Sequence, residues 1–182
     1  DGKIVVSGAL TSPQIGFSVE NVAENYVAVA KADDVSDSDF ASALTILASQ
    51  YEGDKNYKVD SEGKLVSNRP TVQITATEWK SGAATATATI SSDKAGTYCY
   101  AYVKKGAAAP SIENSTEGGH VDANGTATIK LDNLTDSAID LYVWVKTDDG
   151  AVNAEPAKTT ITKAADPVVK PVIKAVTSKW AS

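Results

Sequence analysis

The 182-residue chain has little of what chemistry usually rests on. It holds one cysteine, Cys99, one histidine, His120, one arginine, Arg69, and no methionine. A lone cysteine excludes an intramolecular disulfide. One histidine and one distant cysteine make no zinc set. Cys99 sits between Tyr98 and Tyr100 in a strand-like run, and it reads as a small buried apolar residue. A reactive thiol needs positive or helix-N-terminal surroundings, and none are evident. No run approaches the roughly 20 apolar residues of a membrane-crossing helix, so membrane insertion is not expected. With 17 basic against 23 acidic residues and a net charge of −6, no basic stripe forms. Nucleic acid and anionic membrane are therefore not expected partners. No leader-like segment opens the chain. Its start at Asp1-Gly2 and end at Trp180-Ala-Ser182 read as a mature form or a segment of something longer.

What is present is strand periodicity. Thr97-Tyr-Cys-Tyr-Ala-Tyr-Val103, Val121-Asp-Ala-Asn-Gly-Thr-Ala-Thr-Ile-Lys-Leu131 and Ile139-Asp-Leu-Tyr-Val-Trp-Val-Lys-Thr147 each alternate side-chain type with period two. Each is bounded by Gly, Asp, Asn or Pro. Such runs are strands with one face in a core and one toward water. Thr71–Thr77 and Ala84–Ile90 precede them. In the second, Ala84, Ala86, Ala88 and Ile90 share one face and threonines line the other. Residues 154–162 complete the set. Asn68-Arg69-Pro70 is the best boundary, because proline breaks pairing and extends the residue before it. The expected organisation is a β-rich unit over 1–69, a β-sandwich over 70–163, and a Pro-containing linker or tail over 164–182. Residues Val172–Val176 read as the start of a further module.

The N-terminal unit contains strand-like runs at Lys3–Leu10, Ile15–Val19 and Tyr26–Ala30. The period then changes. Ser36-Asp-Ser-Asp39 has the form of a capping box, flanked by Val35 and Phe40 in staple positions. Phe40, Leu44, Leu47 and Tyr51 follow at helical spacing, and Gly53 can end the run, which predicts one α-helix over about 37–51. Asp60-Ser-Glu-Gly63 predicts a hairpin turn between Tyr57–Val59 and Lys64–Val66. A weak internal repeat pairs Tyr26–Lys31 with Tyr100–Lys105 and Val59–Gly63 with Val121–Gly125. Chance similarity in an Ala/Thr-rich β chain is its rival.

The run Ala95-Gly-Thr-Tyr-Cys-Tyr-Ala-Tyr-Val-Lys-Lys-Gly-Ala-Ala-Ala-Pro-Ser111 resembles bacterial fibronectin type III/immunoglobulin-like surface repeats. Those carry a Gly-led aromatic strand, a Gly-Ala-x-x-Pro-Ser/Thr segment and a short helical turn, here Pro110–Glu117. A corner leucine, Leu134, and an alternating strand ending in Asp-x-Gly, here Ile139–Gly150, also fit. The resemblance covers about residues 70–163. One departure is the tyrosine-corner position, filled by Ile139 or Leu141. The resemblance implies a secreted or cell-surface multidomain protein, with such modules as spacers, adhesin parts or appendages of enzymes. Its partners would be a host or neighbouring surface protein or a glycan. Scarcity of cysteine does not argue against an extracellular site, since many bacterial surface proteins avoid it.

Catalysis needs convergent acids, bases or nucleophiles. His120 follows Gly118-Gly119 in an expected loop and has no partner set, and no serine sits in a nucleophile elbow. The chain therefore reads as a non-enzyme with no cofactor. Acidic pairs at Asp33-Asp34, Asp37/Asp39 and Asp148-Asp149 lack a calcium-loop pattern and read as solvated loops or caps. Asn114, Asn124 and Asn133 fit the glycosylation pattern but read as turn residues. Pilin-type sandwiches cross-link a lysine to an asparagine, which would involve Lys3 and Asn153 here. The candidate binding residues are aromatic: Tyr142 and Trp144, with Tyr98, Tyr100 and Tyr102. Tyr142 and Trp144 lie opposite Leu141, Val143 and Val145 in strand phase. With the aliphatics inside, the rings form an exposed stripe able to stack on sugar or a protein partner. Otherwise they pack beneath the N-terminal segment. The expected function is a non-catalytic adhesion or spacing module. The alternative is a carbohydrate-binding accessory module of a glycan-degrading enzyme.

Overall fold

The computed structural model describes residues 3–7, 10, 16–20 and 23–168. Thr11-Ser-Pro13, which reads in the sequence as a turn after the Lys3–Leu10 run, and the segment from Val169 onward with its further module lie outside the described residues. The described chain is mostly β, with antiparallel sheets, one parallel pair and one α-helix. Its apolar side chains form two separate cores. One draws on residues from Val6 to Leu65, the other on residues from Trp79 to Ile161.

In the first unit, β1 (Ile4–Val6) pairs in parallel with β2 (Val29–Lys31). A hairpin of β3 (Tyr57–Val59) and β4 (Leu65–Ser67) lies beside them. The helix α1 runs Asp37–Ser49. Its start is the expected capping box: the Ser36 hydroxyl accepts from the Asp39 N–H at 3.1 Å and donates to the Asp39 carboxylate at 2.7 Å. Such a cap stabilises a helix by about 1 kcal/mol. Ala43, Leu44 and Leu47 bury the inner face against Val29, Val35, Val59 and Leu65. The expected strands were too long. Residues 16–19 contribute only a bridge between Phe17 and Tyr51, and the Tyr26–Ala30 run pairs regularly only at β2, Val29–Lys31. Short runs with little area to bury cannot hold a long ladder.

The second unit is sandwich-like. One sheet has the order β5-β6-β9, made by Val72–Glu78, Ala86–Ser92 and Gly125–Leu131. The other has the order β11-β10-β7-β8, made by Ala157–Thr162, Ala138–Thr147, Gly96–Lys104 and Thr116–Val121. Ala86, Ala88 and Ile90 of β6 and Ile129 and Leu131 of β9 face Ile139, Leu141 and Val143 of β10, with Trp79, Leu134 and Ile161 closing the core. The run Val121–Leu131, expected as one strand, is two strands in different sheets. Asp122-Ala-Asn124 turns the corner, with the Gly125 N–H donating to the Asp122 carbonyl at 2.9 Å. The Asp60–Gly63 turn closes the same way at 3.1 Å, so the two similar motifs make similar turns in different settings. Asn124 and Asn133 hold φ of 55° and 58°, as turn asparagines do.

Only residues 68–71 separate β4 from β5. Asn68 and Pro70 are buried. The Asn68 N–H donates to the Asn56 carbonyl at 2.7 Å, the Arg69 N–H to the Ser67 hydroxyl at 3.3 Å, and the Thr71 N–H to the Asp93 carboxylate at 2.6 Å. The Asn68 amide donates to the Lys55 carbonyl at 3.2 Å and to Asp149 at 2.6 Å, and accepts from Lys94 at 3.0 Å. Val152, in the β10–β11 connection, donates its N–H to the Asn56 side chain at 3.1 Å and accepts from the Arg69 guanidinium at 2.8 Å. Partial burial pushes the Asp149 carboxyl up, but the Thr147 hydroxyl, the Asn68 amide and nearby backbone N–H groups outweigh it and hold it below the ordinary carboxylate value.

Candidate functional site

β10 is the strand to which the aromatic candidates lead, and it is central in its sheet, between β7 and β11. Its side chains alternate between faces. Leu141, Val143 and Val145 point into the sandwich and are fully buried. Asp140, Tyr142 and Trp144 point to the outer face. They are not exposed there: Tyr142 is 3% and Trp144 6% accessible. Of the two alternatives for these rings, the open stripe is not the one found, because both faces of β10 are covered. The two rings stack on each other, centroids 6.5 Å apart and planes 20° off parallel. The Lys158 ammonium of β11 lies 5.0 Å above the Tyr142 centroid, and the cross-strand neighbours on β7 are Ala101 and Cys99. Small residues beside large rings let the rings lie down along the sheet.

The other three candidates lie on the opposite face. Tyr98, Tyr100 and Tyr102 pair with Val145, Val143 and Leu141, and directly opposed residues share a face. Tyr98 and Tyr100 pack against the sandwich core. Tyr102, at the rim, is 40% exposed and its hydroxyl donates to the Asp132 carbonyl at 3.4 Å. The five aromatics therefore do not form one surface. The strand pattern places them only together with the antiparallel register, in which residues 98, 100 and 102 match 145, 143 and 141. Tyr98 also explains Gly118, since a Cβ at Gly118 would stand 1.9 Å from the Tyr98 ring.

A polar group that sequence reasoning passed over accompanies the rings. Asp140 is buried in the middle of an apolar run. Its carboxylate accepts from the Thr160 hydroxyl at 2.6 Å and from the Gly106 N–H at 3.1 Å, and Lys158 stands 3.5 Å away. The Thr160 hydrogen bond, then the Gly106 one, hold its pKa below the ordinary value, against the opposing effect of burial. The signal was available, as an acid inside Ile139–Val145 needs partners when buried.

No family model matches this chain. No curated protein and no solved structure matches it either. Interpretation therefore rests on the side chains. His120 lies in β8, not in the expected loop, half exposed and 3.7 Å from Asp122. Asp37 pairs with Lys31 at 2.5 Å, Asp39 caps α1, and Asp149 serves the linker. Among the described residues no three His, Cys, Asp or Glu side chains converge as a metal set. Asn153 is buried and bound to backbone: it accepts from the Val145 N–H at 2.8 Å and donates to the Glu155 carbonyl at 2.6 Å and the Val143 carbonyl at 3.4 Å. It fills a gap in the β10–β11 ladder, and Lys3 is exposed, so the arrangement gives no support to the conceivable Lys3–Asn153 cross-link.

Proposed function

We propose that this chain is a non-catalytic spacing or adhesion module of a secreted or cell-surface bacterial protein. The observation that favours spacing over glycan binding is the burial of Tyr142 and Trp144. A sugar-stacking platform needs ring faces open to solvent, and here those faces are closed by each other and by Lys158. The strand order supports a place in the immunoglobulin/fibronectin type III class, in which two packed antiparallel sheets carry variable loops. Exposed edges rich in Thr and Lys suit a module that must sit in series without pairing edge to edge.

The test is a glycan-array screen of the intact chain beside Trp144→Ala and Tyr142→Ala. The spacer reading expects no binding and a marked loss of stability in both variants. Glycan binding that disappears in variants of unchanged stability would replace it with the carbohydrate-binding reading.

A further inference from the structure

The linker between the two cores is hydrogen-bonded along its length. Linkers between domains are ordinarily flexible, and domains joined by small polar contacts move relative to one another by default. Residues 68–71 differ in three respects. They number four, too few to act as a tether. Every backbone N–H they possess is bonded within the chain: Asn68 to Asn56, Arg69 to Ser67, Thr71 to Asp93, while Pro70 has none and fixes its own φ. The Asn68 side chain also binds three separate segments, namely the turn before β3 at Lys55, the β6–β7 connection at Lys94 and the β10–β11 connection at Asp149.

A second clamp lies beside it. Val152 belongs to the sandwich, and both its backbone polar groups are taken from outside it, the N–H by Asn56 of the first unit and the carbonyl by Arg69 of the linker. Directional bonds from several segments cannot all be kept while the units swivel. Breaking them in concert leaves buried amide and carbonyl groups unpaired.

We propose that residues 68–71, with Asn56 and the Val152 backbone, form a locked joint that holds the two units in one fixed mutual orientation. The joint does not depend on whether the module binds anything. It makes the two units move as one body.

Double electron–electron resonance on the full chain tests this. Spin labels go on Thr45→Cys of α1 and Lys130→Cys of β9, both exposed, in a Cys99→Ser background. The expected result is a single narrow distance distribution, widened by about two-fold or more when Asn68→Ala and Asn56→Ala are combined, as free domain motion returns. Arg69→Ala alone, which removes only the contact with the Val152 carbonyl, is expected to widen it less. Circular dichroism and hydrogen exchange establish that both units stay folded. A broad distribution in the parent would overturn the proposal. So would an unchanged one in both the double variant and Arg69→Ala with both units intact.

Discussion

Trp144→Ala separates a structural ring from a recognition ring most directly. Trp144 is 6% accessible, so nearly all its side chain leaves water on folding. A buried aromatic of this kind removes on the order of 200 Å² from solvent. At about 25 cal/mol per Å², that area corresponds to about 5 kcal/mol. Measured truncations of buried aromatics to Ala cost roughly 3–5 kcal/mol. Loss of the stack on Tyr142 adds about 1 kcal/mol within that range. A domain of this size has only about 5–15 kcal/mol of total stability, so a large share of it would go. The assay is equilibrium urea unfolding of parent and variant, followed by far-ultraviolet circular dichroism. The expected outcome is a large fall in midpoint with little change in slope. Tyr102→Ala, at the exposed rim, serves as control and should cost about 1 kcal/mol or less. A Trp144→Ala loss as small as that of the control would refute the packing account of the outer face.

Four further outcomes follow from the same geometry. Asp140 has a depressed folded-state pKa, so its contribution to stability is fully present above the ordinary value near 3.8 and is lost as pH falls through the lower folded value. Thr160→Val removes the main cause, and the loss in an acid titration of stability should then be smaller and end at a higher pH. Gly118→Ala should destabilise by roughly 1–3 kcal/mol in urea unfolding, since its methyl group collides with the Tyr98 ring. Asn153→Leu leaves the Val145 N–H and the Glu155 carbonyl without that partner and should cost about 2–3 kcal/mol. Ser36→Ala should cost about 1 kcal/mol, read as faster hydrogen exchange in α1 while β10 keeps its protection.

Sequence reasoning succeeded where one local rule decides the outcome. The capping box at Ser36–Asp39 is a four-residue device, and α1 begins where it says. The alternation in β6 put Ile90 on one face with Ala86 and Ala88, and that in β10 put Leu141 opposite Tyr142, because the period is fixed by the pleat. It failed where a second layer decides. Period two says that Tyr142 and Leu141 face opposite ways, but not that both ways are covered. It cannot show that Val121–Leu131 breaks at Asp122-Ala-Asn124, because a corner between sheets and a continuous strand share the same alternation. The roles of Asn68 and Asp149 arise from contacts 81 residues apart, which no local pattern carries.

The two-sided burial of β10 also bears on how the chain reaches its fold. Ile139–Val145 is a seven-residue run of strong strand formers with one charge, Asp140, and Lys146 just beyond it. Left unpaired, such a run is prone to self-association into stacked β-structure. β7, one pairing partner, precedes β10 in the chain, but β11, the other, follows it. Until β11 docks, one edge of this run stays open. A carboxylate at Asp140 disfavours in-register stacking of identical copies of this run, and its Thr160 partner is supplied only when β11 docks.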